Sequence, residues 1–150
     1  MTITQNRTDA GLATALRISV SRLARRLRVE RTEPGPDGVT LSDTQLAALA
    51  TLERHGEMTP GELAEHEKVQ PPSMTRVIAA LSDWGLVTKA PHATDRRQVV
   101  LTVTPDGRSL VQRTRRRREA WLAKRLAELS PQERAALRAA AAVLEKLSQS

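Results

Sequence analysis

Two short clusters hold the side chains best suited to chemistry: Gln70-Pro71-Pro72-Ser73-Met74-Thr75-Arg76 and, further along, Asp95-Arg96-Arg97. Bond-making is not what they suggest. The chain has no phosphate-cradling glycine loop, no nucleophile and base at recognisable spacing and no cluster of metal ligands, so it is not read as an enzyme, and no cofactor or metal is expected. Short amides and hydroxyls beside an arginine are instead the groups that hydrogen-bond to base edges and phosphates of a duplex. Gln70, Pro72, Ser73, Thr75, Arg76, Asp95, Arg96 and Arg97 are therefore the candidate DNA-binding residues.

Composition agrees with a polyanionic partner. Lys and Arg number 24 against 17 Asp and Glu, a formal net charge of +7. A membrane is a weaker candidate: no apolar run approaches the roughly 20 residues needed to span a bilayer, and the N-terminus has no signal-like apolar core. A cytoplasmic location is expected. The absence of cysteine excludes disulfides, thiolate catalysis and thiol redox sensing. Trp84 and Trp121 are the only aromatic residues of the Phe, Trp and Tyr class, too few to stack single-stranded bases, so duplex DNA fits better than RNA.

Both clusters need elements to hold them. Residues 1–8 are polar and expected to fray. Leu12, Leu16, Val20, Leu23 and Leu27 then recur at three- and four-residue steps, the stripe of a long helix that the breakers Pro34-Gly35-Pro36-Asp37-Gly38 should end. Ser42-Asp43-Thr44-Gln45, Thr59-Pro60-Gly61-Glu62 and Ser130-Pro131-Gln132-Glu133 each read as a capping box opening a helix. Thr104-Pro105-Asp106-Gly107 opens another, with no acid in the closing position. Pro71 and Pro72 start a helix that runs to about Trp84 and stops at Gly85. Alternation in Val99-Val100-Leu101-Thr102-Val103-Thr104 predicts a strand, paired with Leu86-Val87-Thr88-Lys89 across a polar tip from Ala90 to Arg97. Two helices fill the rest of the chain to Leu147.

Short helix, turn, helix and β-hairpin is the order of a winged helix-turn-helix. In it Leu63, Ala64 and Val69 pack the first helix and the turn. Met74, Val77, Ile78 and Leu81 face inward, leaving Gln70, Ser73, Thr75, Arg76 and Ala79 outward. The run Arg113, Arg115, Arg116, Arg117, Arg118 reads as solvated surface. His55, His66 and His92 are scattered. Although His66 stands between Glu65 and Glu67, adjacent helical residues point apart and should not close around one ion. Asp95 either caps its turn or orients an arginine. The terminal helices expose more apolar surface than the small central unit can cover, so a second copy of the chain is the expected partner.

The stretch Pro72-Ser73-Met74-Thr75-Arg76-Val77-Ile78, then Leu81, Trp84-Gly85-Leu86-Val87, Asp95-Arg96-Arg97 and Val99 through Gly107 together resemble the multiple antibiotic resistance regulator (MarR) family of bacterial transcription factors. The resemblance covers nearly the whole chain. It implies a mainly α fold with a small β-hairpin wing: one domain over 1–150, with dimerisation helices at 9–31 and 105–148 and the winged helix-turn-helix at 42–104. It further implies a triangular homodimer on a pseudo-palindromic operator. In that family's Asp-x-Arg wing pattern, here Asp95 and Arg97, the arginine enters the minor groove and the aspartate orients it. Two-fold geometry asks for half-sites about 10 bp apart. The resemblance also implies a small lipophilic or aromatic effector that releases DNA, although the chain offers little aromatic lining for one. Lys68 departs from the pattern, standing where many such turns use glycine. A sequence-specific regulator, usually a repressor, is the leading expectation, and a protein coating DNA without sequence preference is the alternative.

Overall fold

A computed structural model of the chain describes residues 7–30, 38 and 40–150. In order, its elements are α1 (Asp9–Val29), α2 (Asp43–His55), α3 (Pro60–Glu67), α4 (Pro71–Asp83), β1 (Val87–Pro91), β2 (Val99–Val103), α5 (Pro105–Ala127) and α6 (Pro131–Ser148). The fold is mainly helical with a two-stranded antiparallel hairpin, as expected. Arg31 and the breakers Pro34 to Asp37 lie outside the described residues. The chain divides into two compact units, residues 31–116 and residues 1–30 with 117–150.

The central unit is organised by its helix ends. At α2 the capping box closes both ways: Ser42 Oγ accepts from Gln45 N at 3.2 Å, and Gln45 Oε1 accepts from Ser42 N at 2.9 Å. At α3 Thr59 Oγ1 accepts from Glu62 N at 3.2 Å, and Pro60 occupies the first turn, where its missing N–H costs nothing. Lys68 ends α3 in the left-handed region (φ 56, ψ 39). Gly85, at φ 71, turns the chain out of α4.

The hairpin pairs Val87 with Val103 through Pro91 with Val99. The first strand thus begins one residue later and ends two residues later than its apolar pattern predicts. Leu86 is already committed to the exit from α4, its N–H donating to Leu81 O at 2.9 Å and its carbonyl accepting from Thr104 N at 3.0 Å. Pro91 is tolerated because it closes an edge strand. On the other side of β2, Met58 and Leu101 exchange backbone hydrogen bonds, an isolated bridge that no periodicity announces.

Leu49, Leu52, Leu63, Met74, Leu81, Leu86 and Leu101 are fully buried and fill the core. The first turns of α5 complete it with Leu110 and Val111, so this part of the long helix belongs to the central unit. Gly107 explains the missing acid at the start of α5: a Cβ there would lie 2.3 Å from Leu86 O and 2.9 Å from Val103 Cγ1. Thr104 does the capping alone. Its hydroxyl donates to Gly85 O at 2.7 Å while accepting from Gly107 N at 3.1 Å, tying the exit of α4 to the start of α5.

The terminal unit is built differently. Thr8 caps α1, and Ser130 with Glu133 closes a full capping box on α6. Yet only Ala15 is buried on α1, and α6 buries none of its residues. Leu12, Val20 and Leu23 on α1 and Leu137, Val143, Leu144 and Leu147 on α6 are exposed. Leu16, Val20, Ala141, Leu144 and Leu147 line an open groove of 660 Å³, with Arg17 and Glu145 among its other lining residues. The indole of Trp121 has guanidinium carbons of Arg26 and Arg125 at 5.1 Å and 5.5 Å from its centroid. The arginine run of α5 is not uniformly solvated surface, since Arg115 pairs with Glu53 at 3.2 Å and Arg118 Nε is buried.

Candidate nucleic-acid interface

On α4 a 3.6-residue period separates two faces. Met74, Val77, Ile78 and Leu81 are buried, while Gln70, Pro72, Ser73, Thr75, Arg76 and Ala79 are exposed. The apolar face anchors the polar one to a rigid core. Gln70 stands at the N-cap without a side-chain capping bond. With Pro71 and Pro72 next, the first turn lacks two of its usual N–H donors, so an anion at this end would have to be met largely by side chains. Thr75 Oγ1 donates its proton to Pro71 O at 2.9 Å. Outward it therefore offers lone pairs and a methyl group, which suits a base amino group or a thymine methyl. Among the described residues, no hydrogen bond or ion pair engages the Ser73 hydroxyl or the Arg76 guanidinium.

The second cluster lies on the hairpin tip of the same compact unit. Asp95 Oδ1 accepts from Arg97 N at 3.1 Å, so the carboxylate holds the backbone of Arg97 in a local turn. Both guanidiniums, of Arg96 and Arg97, are exposed and without a partner among the described residues. The tip has one more organiser, His92, one of the three scattered histidines. His92 Nδ1 accepts from Thr94 N at 3.2 Å and from Asp95 N at 3.1 Å, and Thr94 Oγ1 lies 3.3 Å from it. Below it, His92 N donates to Gln98 O at 3.0 Å and Gln98 N to Asp95 O at 3.1 Å. The signal in the sequence was position: an acceptor side chain two and three residues before the amides it caps, the spacing used by Asx turns.

The other two histidines form a separate group on α2 and α3. Their rings meet edge to face at 4.8 Å, and His66 Nδ1 lies 3.7 Å from Glu67 Oε1, closer than helical spacing suggests. Glu67 is also engaged by the Thr51 hydroxyl. Among the described residues no three His, Cys, Asp or Glu side chains converge as metal ligands. No helix is long and apolar enough to cross a membrane among the described residues.

Comparison with known proteins places the chain in a family. The MarR family model matches residues 41–99, the interval from the start of α2 into β2. An uncharacterised HTH-type transcriptional regulator of Mycobacterium bovis is 53% identical over 133 residues, covering 89% of this chain and 90% of that protein. The HTH-type transcriptional repressor MdtR of Bacillus subtilis is 29% identical over 139 residues, 92% of this chain and 86% of its own. Among solved structures, a transcriptional regulator protein from Pseudomonas aeruginosa superposes with a TM-score of 0.78 at 32% identity, covering 96% of this chain and 99% of that one. With its helix-turn-helix, its hairpin wing and these relatives, the chain belongs to the MarR family of DNA-binding transcriptional regulators.

Proposed function

We propose that this regulator acts as a sequence-specific repressor, binding a pseudo-palindromic double-stranded operator as a homodimer. One observation carries the specificity: the outward face of α4 holds Ser73, Thr75 and Arg76, exposed and fixed to a buried core by Met74, Val77, Ile78 and Leu81. Gln70 and Pro72 flank that face, and the wing adds Arg97 for the minor groove, with Arg96 at a phosphate. The exposed leucines of α1 and α6 are the surface a second copy would cover. Repression is the direction carried by the name of the Bacillus subtilis relative. Release by a small lipophilic or aromatic ligand completes the reading.

The test is selection of bound fragments from genomic DNA, followed by competition against random duplex. A specific site should be preferred by about a thousandfold or more. A ratio near one would instead favour a DNA-coating protein. On the selected site Arg76→Ala should cost about 1–3 kcal/mol of binding and relax the preference at one position. Arg97→Ala should weaken binding and flatten its salt dependence.

A further inference from the structure

We infer that His92 is a positioning residue for the wing, holding the Arg97 backbone in its DNA-facing conformation only while its ring is neutral; this rests on the wing reading above. Two backbone N–H groups, of Thr94 and Asp95, converge on His92 Nδ1 at 3.2 and 3.1 Å. An acceptor of two N–H bonds must have its lone pair free, so the ring carries its proton on Nε2. Asp95, fixed in this way, presents Oδ1 to Arg97 N at 3.1 Å. The chain of contacts runs from the imidazole through Asp95 to the arginine. His92 is half-buried in a tip whose other residues, from Ala93 to Gln98, are exposed.

A second proton on the ring would turn Nδ1 from acceptor to donor, facing two further donors at hydrogen-bond distance. Both bonds would be lost together and the tip would loosen. The sign follows from the geometry: wing order is present when the ring is neutral and lost when it is doubly protonated. The charged residues of the hairpin that carries the ring are Asp95, Arg96 and Arg97 on the tip and Lys89 on β1. Among the described residues, no charged side chain of α2, α3, α4 or α5 has a recorded bond to it.

Affinity of the full chain for its selected duplex, measured at pH 8 and pH 5.5 for wild type, His92→Ala, His92→Asn and Arg97→Ala, decides the matter. Asparagine at 92 keeps an acceptor for the two amides and does not titrate. His92→Ala should raise Kd about three- to tenfold at pH 8. His92→Asn should stay within about twofold of wild type at pH 8 and bind better than wild type at pH 5.5. In the free protein, the Thr94 and Asp95 amide resonances should shift between pH 8 and pH 5.5 in wild type, and stay still in His92→Asn. If Arg97→Ala weakens binding while both His92 variants follow wild type at every pH, the inference is wrong and the wing reading stands. If Arg97→Ala binds as wild type does, the wing reading falls and takes the inference with it.

Discussion

The two compact units obey opposite rules of burial. The central unit, residues 31–116, hides Leu49, Leu52, Leu63, Leu81 and Leu101 so completely that none exposes more than 1% of its surface. The terminal unit leaves Leu23 at 46%, Leu137 at 47% and Leu147 at 57%. Caps do not account for the contrast, since Ser42 and Ser130 close equally complete boxes in the two units. The difference is in what lies against the apolar face. The central helices have one another and a hairpin; the terminal ones leave Leu23, Leu137 and Leu147 open to solvent. In the proposed function, reading falls to the unit with its own packed core and assembly to the unit without one.

Six substitutions would break or sharpen that contrast. The largest effect belongs to Leu81→Ala, which empties a fully buried site and should cost about 2–5 kcal/mol in denaturant unfolding. The matching truncation Leu147→Ala should barely change unfolding of a monomer; equal losses at the two positions would erase the distinction. Next, Gly107→Ala should cost about 1–3 kcal/mol, because the new methyl meets the Leu86 carbonyl, a backbone atom that cannot swing aside. A melting temperature at or above wild type would contradict the close approach. Third, Leu144→Glu should leave the unfolding of the central unit intact while raising the dimer dissociation constant at least about tenfold, roughly 1.4 kcal/mol, in sedimentation equilibrium. An unchanged constant would move the partner surface elsewhere. Smallest are Ser42→Ala and Ser130→Ala, each removing one cap for about 1 kcal/mol. The first should destabilise the central unit at any protein concentration, and the second should show a loss that depends on concentration.

How much of this was legible in the sequence depends on whether a feature is local. The caps at Ser42, Thr59, Thr104 and Ser130 were readable because a cap is a contact three residues long. The two faces of α4 were readable because its period is carried by four apolar residues in a row of turns. The bridge between Met58 and Leu101 joins residues far apart in the chain and has no period to betray it. The bounds of β1 were misjudged because Leu86 has an apolar side chain but a backbone already claimed by α4 and Thr104. Within the candidate interface, the exposure of Ser73 and Arg76 was legible from the period of α4, and that of Arg97 from its place in a polar tip. The back-bonding of Thr75 depends on which way its side chain turns, and the capping by His92 had only the spacing of an acceptor two and three residues before two amides to announce it.

Lys68 carries a consequence for how such a protein changes over generations. Its backbone sits at φ 56, in the region where a side chain costs about 1 kcal/mol relative to glycine. Glycine at 68 would relieve that cost, and it would also remove a cation from the turn leading into α4. A laboratory selection for heat resistance should therefore replace this lysine with glycine early. The position is a place where a single codon change, with no repacking around it, adds durability.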